Sequence, residues 1–357
     1  MRALVLGKGR SGTAAEKMLR ACGYDVDMVE GYDLVVVSPG VPVKSELQLG
    51  CEELKRRGWK LLAVTGSKGK SSVVKIVAQA LGGVPCGNFG RPVSDLVGEQ
   101  PGWAIVEVSS FQLETTVLSS DTFEAAAILN LQEDHLDRHG SVNVYHALKR
   151  RLLGFTKKGL EAPVDDATAE ADCHLIEGSY FDNEILRPNG IAACELMRVA
   201  GLTDEKIAAA FRTFEPLPHR MNLVCVDGGI RYVDDSKATS LAALAAGVVM
   251  AQTDVRLIAG GLAKGDDPVS VLPILTRHVK KVYLIGQCAE SFFSAWSVAV
   301  PCEVCGTLDR AVESAKREAQ LGETVLLSPG TASFDQFKSF GERGDVFAQL
   351  VKKGKKE

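Results

Sequence analysis

Along this chain, short unbroken runs of apolar residues alternate with segments whose apolar positions recur every three or four residues. That is the pattern of buried strands separated by amphipathic helices, and it predicts an α/β fold. Arg2 to Leu6 reads as a strand, a glycine-bearing turn follows, and a helix beginning near Ser11 leads to a second strand at Val26. Leu34 to Val37 predicts another buried strand, ending in Ser38-Pro39-Gly40, and Glu46 to Arg57 a short helix. Leu61 to Val64 is a buried strand that breaks at Thr65-Gly66-Ser67-Lys68-Gly69-Lys70-Ser71-Ser72, with a helical pattern from Val73. Strands are predicted again at Trp103 to Val108 and Ala125 to Leu129, and helices at 143–153, 191–200 and 203–214. Asn189 reads as the cap of the second of these helices, and the acidic, small-residue stretch 163–172 as a loop. Glu215-Pro216-Leu217-Pro218 predicts a hinge. Beyond it come a hairpin about Asp227-Gly228-Gly229, an Ala-rich helix, and strands at Val255–Ala259, Lys281–Ile285 and Thr324–Leu327. This part predicts a doubly wound parallel sheet with polar loops gathered at its carboxyl edge. The predicted organisation is three domains, at 1–60, 61–217 and 218–357.

The strand–loop–helix at 61–81 carries the sharpest chemistry. A glycine-bearing loop that opens a helix leaves backbone N–H groups pointing at one spot, at the positive end of the helix dipole. Lys70 adds a mobile cation there, and Ser71 a hydroxyl able to hold Mg²⁺, so Gly66, Ser67, Lys68, Gly69, Lys70, Ser71 and Ser72 form a candidate phosphate-binding loop. Val64 stands where the common GxxxxGK[ST] pattern has its first glycine, leaving the shorter TGxxGKS. Glu107, near the end of its strand, occupies a position for a magnesium ligand, the alternative being an outward-facing strand residue. The segment 130–140 holds Glu133, Asp134, His135, Asp137, Arg138 and His139, which suits a metal or phosphate site, or a solvated loop. Gly7, Gly9 and Gly12 form a GxGxxG with Asp27 and Glu30 downstream. Read literally it is a dinucleotide fingerprint and would make the chain an NAD enzyme, but that leaves the phosphate loop without a purpose.

Composition narrows the classes. The 357 residues are 46% hydrophobic and 24% charged, as in globular proteins, with a net charge of −4. No global basic field recruits nucleic acid, and any phosphate binding is local. No apolar run approaches the roughly 20 residues needed to span a membrane. The chain begins directly on a strand, with no signal-peptide core. The nine cysteines are scattered, Cys302-x-x-Cys305 being the one CxxC, so free thiols in a reducing cytoplasm are expected. The C-terminal KKGKKE reads as a solvated tail.

Taken in order, VTGSKGKSS, GNFGRP, EVSSFQLE, NLQEDHLDRHG, YHALK, LPHRM, DDSKAT, AGGLAKG and SPGTASFDQFKSFGERG closely resemble the Mur ligases. The last stretch is most similar to the branch that adds D-glutamate. The resemblance runs from Val37 to the C-terminus. It implies a UDP-binding Rossmann-like domain, a central P-loop ATPase domain and a Rossmann-like C-terminal domain that brings the amino acid. The implied reaction joins D-glutamate to UDP-N-acetylmuramoyl-L-alanine at the expense of ATP, through an acyl phosphate, in cytoplasmic peptidoglycan precursor synthesis by a monomer. Another Mur-type amino-acid ligase, or a relative that binds nucleotide without catalysis, are the alternatives.

Residue by residue, the resemblance implies that Lys70 and Ser71 hold ATP phosphates and Mg²⁺ (two ions), with Glu107 and His135 as further metal ligands. Lys149 matches a lysine carbamylated in the family, which would make it a metal-binding carboxylate. Asn189, Arg220 and Asp235 would contact ATP. Gly9, Ser11, Ser38, Pro39, Gly40, Asn88 and Ser109 would line the UDP-substrate site. Lys237, Thr239, Lys264, Ser333 and Phe340 would position D-glutamate. Two departures stand out. The first domain is shortened between Val26 and Leu34, and Ile185-Leu186 replace a His-Asn pair usual before Asn189.

Overall fold

The strand Lys60–Thr65 (β3) lies at the centre of a five-stranded parallel sheet, and residues 61–65 are all buried. In the computed structural model, residues 1–31, 43–162, 166–263, 265 and 267–353 are described. Before β3 come β1 (Arg2–Leu6) and β2 (Asp25–Val29), a parallel pair joined by the helix Arg10–Ala21. The remaining strands of the larger sheet are β4 (Val84–Gly87), β5 (Trp103–Glu107), β6 (Ala125–Ile128) and β7 (Gly159–Glu161). The order is β4-β5-β3-β6-β7, so the chain leaves β3 toward one edge and later crosses to the other side. β3 is therefore the switch point, and its carboxyl end opens between those of β5 and β6, where α/β sheets bind ligands.

Hydrophobic periodicity explains the packing. The helix Lys70–Leu81 buries Val73, Val74, Ile76, Val77 and Ala78, and packs on the helices Arg187–Val199 and Asp204–Arg212. On the other face, one core joins Val5, Met18 and Leu19 of the first segment to Leu47, Leu54, Leu96 and Phe123. The predicted loop at 163–172 is corrected: Asp166–Ile176 is a helix, because its alanines and Glu170 favour helix more than their polarity favours a loop. Asn189 is not a cap. Pro188 occupies one of the first two helical positions, and the helix Arg187–Val199 starts ahead of Asn189. The predicted strand at 34–37 lies outside the described residues.

The second unit begins at Glu215, against a first unit of Met1–Phe214. It holds β8 (Asn222–Asp227), β9 (Ile230–Asp234), β10 (Val255–Gly260), β11 (Val279–Ile285), β12 (Cys302–Gly306) and β13 (Thr324–Leu327). Their order is β12-β11-β10-β13-β9-β8, parallel except for the β8–β9 hairpin. That hairpin turns on Gly228 and Gly229, at φ +55° and +76°, the pair of left-handed residues a two-residue turn demands. The neighbouring strands β10, β13 and β9 deliver the segments AGGLA, SPGTAS and DDSKATS to one edge. All nine cysteines are free, and among the described residues no helix is long and apolar enough to cross a membrane.

Phe123, fully buried behind β6 in the first unit's core, anchors that packing. Phe123→Ala is expected to lower unfolding free energy by about 3–5 kcal/mol in urea titrations; a loss below about 1 kcal/mol would contradict this packing.

Candidate functional site

The loop after β3 is held from several sides. Asn130, just past β6, accepts from the Lys68 N–H (2.8 Å) and donates to the Lys68 carbonyl (2.9 Å). The Ser67 hydroxyl donates to the Gln132 carbonyl and accepts from the Tyr145 hydroxyl, both at 3.0 Å. Gly69 takes φ +82°, and a Cβ there would lie 2.1 Å from Asn189 Nδ2. No side chain fits at that point, so the loop passes against the Asn189 amide. Beyond Gly69 the helix starts at Lys70, which puts the Lys70, Ser71 and Ser72 N–H groups in its first turn.

Two amines meet at this loop. Lys70 Nζ donates to the carbonyls of Gly66 (2.7 Å) and Ser67 (3.0 Å), and Lys149 Nζ donates to the same Gly66 carbonyl (2.9 Å). Lys149 is only 2% exposed. Its ammonium lies 4.6 Å from the centre of the Tyr145 ring, one helical turn earlier. Burial first, and then the charge of Lys70, pull the Lys149 amine down to about 7, against the opposing pull of Asp134 and Glu107.

Glu107 ends β5 and is buried, which settles the outward-facing alternative against it. Its Oε1 accepts from Asn88 Nδ2 at 2.8 Å, while Oε2 is buried with no partner. An orphaned, buried carboxylate oxygen fits a cation's ligand better than a core acid, because leaving it bare is costly. Asn88 thus orients Glu107 through one of its N–H groups. Ser109 caps the helix Ser110–Thr115 in a reciprocal box with Gln112. His135 belongs to the segment after β6. It is exposed, in a left-handed conformation at φ +53°, with its ring 5.0 Å from that of Phe111 and 6.4 Å from that of Tyr145. Among the described residues no three His, Cys, Asp or Glu side chains gather into a ready metal site. Beside the loop lies a cleft of about 500 Å³ whose walls include Asn130, His146, Ile185 and Asn189.

In the first segment, Gly9 precedes the helix Arg10–Ala21 and Ser11 sits in its first turn. Arg10 donates to the Gly90 carbonyl (2.6 Å), tying that turn to the GNFGRP loop. Ser38, Pro39 and Gly40 lie outside the described residues, as does Lys264.

In the second unit the three motif loops are stitched together. Gly330 N–H donates to the Ala238 carbonyl (2.8 Å), and Leu262 and Ala332 exchange backbone bonds (2.9 and 3.1 Å). Arg343, 1% exposed, pins them further, donating to Ser236, Thr331 and Ala332. Asp235 is buried, accepting from Ser328 Oγ at 2.8 Å, and desolvation pushes its carboxyl up to about 7 although Arg220 draws it down. Arg220 Nε is itself buried without a partner. Lys237 Nζ lies 5.4 Å from the Phe340 ring centre, while Ser333 is buried and Thr239 half-buried on the adjoining loops.

The residues that motif reading missed are Tyr145, Asn130, His219 and Arg343. His219 Nδ1 lies 2.7 Å from Asp234 Oδ2. Tyr145 had a legible signal, standing four residues before Lys149 and so on the same helix face. Arg343 had none, since its partners come from loops distant in sequence.

Comparison with known proteins identifies the family. Residues 88–172 match the model of the Mur ligase middle domain. The UDP-N-acetylmuramoylalanine–D-glutamate ligase of Chlamydia caviae is 32% identical, over 98% of this chain and 97% of that protein. The enzyme of the same description from Nitratidesulfovibrio vulgaris is 34% identical, over 98% and 95%. Among solved structures, the MurF ligase of Thermotoga maritima in complex with ADP superposes with a TM-score of 0.62 at 14% identity, covering 98% of this chain and 93% of that one, a likeness of fold alone. With relatives this similar along nearly its whole length, the chain belongs to the Mur ligase family, among its UDP-N-acetylmuramoylalanine–D-glutamate ligases.

Proposed function

We propose that this chain joins D-glutamate to UDP-N-acetylmuramoyl-L-alanine in the cytoplasm as a monomer, with ATP as the activating substrate. The observation that carries the reading is the loop after β3, where Lys70 and Lys149 share the Gly66 carbonyl and Glu107 Oε2 stays bare at the end of the neighbouring strand β5. The domains are those of 1–60 for UDP, 61–217 for ATP and 218–357 for the amino acid.

The chemistry follows from the charges. An oxygen of the acceptor's alanine carboxylate attacks the γ-phosphorus, the bond from that phosphorus to the bridging β,γ-oxygen breaks, and ADP leaves. The D-glutamate amine then attacks the acyl carbon and loses a proton, and phosphate departs. The products are amide, ADP, phosphate and a proton. The loop N–H groups and Lys70 hold the phosphates, and Lys70 turns from the Gly66 and Ser67 carbonyls to follow the moving phosphoryl group. Ser71, Glu107, His135 and a carbamylated Lys149 would hold Mg²⁺, which when bound would offset phosphate charge. Lys149 is suited to carbamylation because its amine titrates near neutrality. A neutral amine adds CO₂ to give a carbamate and a proton, and the new carboxylate would turn two repelling cations into an ion pair with Lys70. Asn189, Arg220 and Asp235 serve ATP. Gly9, Ser11, Ser38, Pro39, Gly40, Asn88 and Ser109 serve the UDP substrate. Lys237, Thr239, Lys264, Ser333 and Phe340 hold D-glutamate, leaving its amine free.

Phosphate release from ATP is expected to need both UDP-N-acetylmuramoyl-L-alanine and D-glutamate for sustained turnover. Release by ATP alone at the same rate would overturn the proposal. Lys149→Ala is expected to cut kcat by roughly 10²–10³-fold, the scale of losing one charge-stabilising group; undiminished turnover would remove Lys149 from the site. Below pH about 7 the amine holds its proton and cannot take up CO₂, so incorporation of labelled CO₂ should fade as pH falls through that value and persist above it. Incorporation independent of pH between 6 and about 8.5, or equal in the Lys149→Ala protein, would refute the carbamate.

A further inference from the structure

We propose that His146 is a specificity-determining residue, reading the base of the bound nucleotide together with the Asn189 amide. The inference rests on the reading that the loop after β3 holds a nucleoside triphosphate. The cleft beside that loop is placed to receive the base. Asn130, one of its walls, bonds the loop at Lys68, and Asn189, another, touches it at Gly69. Its other walls mix apolar side chains, among them Leu129, Ile185 and Pro188, with Gln132 and the ion-paired Arg150 and Glu161.

Positions 185 and 186, where the family pattern has His-Asn, are Ile-Leu here, while Arg150 and Glu161 are paired with each other at 2.6 Å and Gln132 is exposed. Leu186 is buried and Ile185 is itself part of the wall. His146 supplies the missing group. It lines the cleft, and its Nε2 is buried with no hydrogen-bond partner. Asn189, 4% exposed, lines the same cleft. Buried polar groups are rarely left bare in a folded chain, and one in a cleft wall points to a ligand that satisfies it. Nε2 would meet that ligand on a turn of the imidazole about χ2.

The position of His146 is fixed from the phosphate side as well. Its neighbour Tyr145 hydrogen-bonds Ser67 of the loop, so ring and loop keep a set spacing. With the ring proton on Nδ1, Nε2 accepts from the exocyclic amine of adenine. Against the oxo group of hypoxanthine it would face one acceptor with another. Asn189 offers both a donor and an acceptor to the adjoining ring nitrogens.

The test is equilibrium binding of Mg-ADP and Mg-IDP to the full chain, in the natural protein and in His146→Ala and His146→Gln. The natural protein is expected to prefer ADP by about tenfold or more. In His146→Ala that preference should vanish through weaker ADP binding, while His146→Gln, which keeps an acceptor, should retain most of it. An unchanged ADP-to-IDP ratio in His146→Ala, or no preference in the natural protein, would overturn the assignment and leave the nucleotide site standing. If the natural protein bound neither nucleotide, the nucleotide reading itself would fall. A His146→Gln protein that folds and binds as His146→Ala does would also count against it.

Discussion

Two lysine amines share one carbonyl oxygen. Lys70 and Lys149 both donate to Gly66, so two groups that would each carry a positive charge stand within a hydrogen bond of the same atom. Burial first, and then the repulsion between the pair, make Lys149 a weaker base. That concession is worthwhile only where something negative is to arrive. The cradle is thus tuned to a polyanion, and the family to which the chain belongs uses one.

The rest of the first unit serves to keep those amines where they are. β3 must be buried between β5 and β6 for its carboxyl end to open at the switch point. Gly69 must have no side chain for the loop to pass Asn189, and Tyr145 must reach Ser67 for the helix carrying Lys149 to lie against the loop. Asn88 completes the setting by occupying one oxygen of Glu107 and leaving the other bare. The second unit solves a similar problem with a different device. There a buried guanidinium, Arg343, ties the loops carrying Ser236 and Thr331, and its own basicity falls to about 10 under that burial.

Much of this was legible in the sequence because local chemistry dictated it. Apolar runs ending in glycine and lysine marked β3 and its loop, and the paired glycines at 228 and 229 marked the hairpin. The motifs marked the loops at the sheet edges. What was not legible depended on balances between weak local preferences or on contacts far apart in the chain. Residues 166–172 looked polar enough for a loop, yet their alanines and Glu170 make a helix. Asn189 looked like a cap, yet Pro188 started the helix before it. The sharing of Gly66 by Lys70 and Lys149 could not be seen, because it joins residues on two helices separated by most of a domain. Nor could the engagement of Asn88 with Glu107, since one read as a substrate contact and the other as a magnesium ligand.

The central claim is that this cradle drives transfer of the γ-phosphoryl group onto a carboxylate oxygen. Its most direct test follows oxygen. With the alanine carboxylate of the acceptor labelled with ¹⁸O, the account predicts that one labelled oxygen per turnover leaves in inorganic phosphate and the other stays in the amide. Phosphate released without label, while the amide is formed, would contradict it.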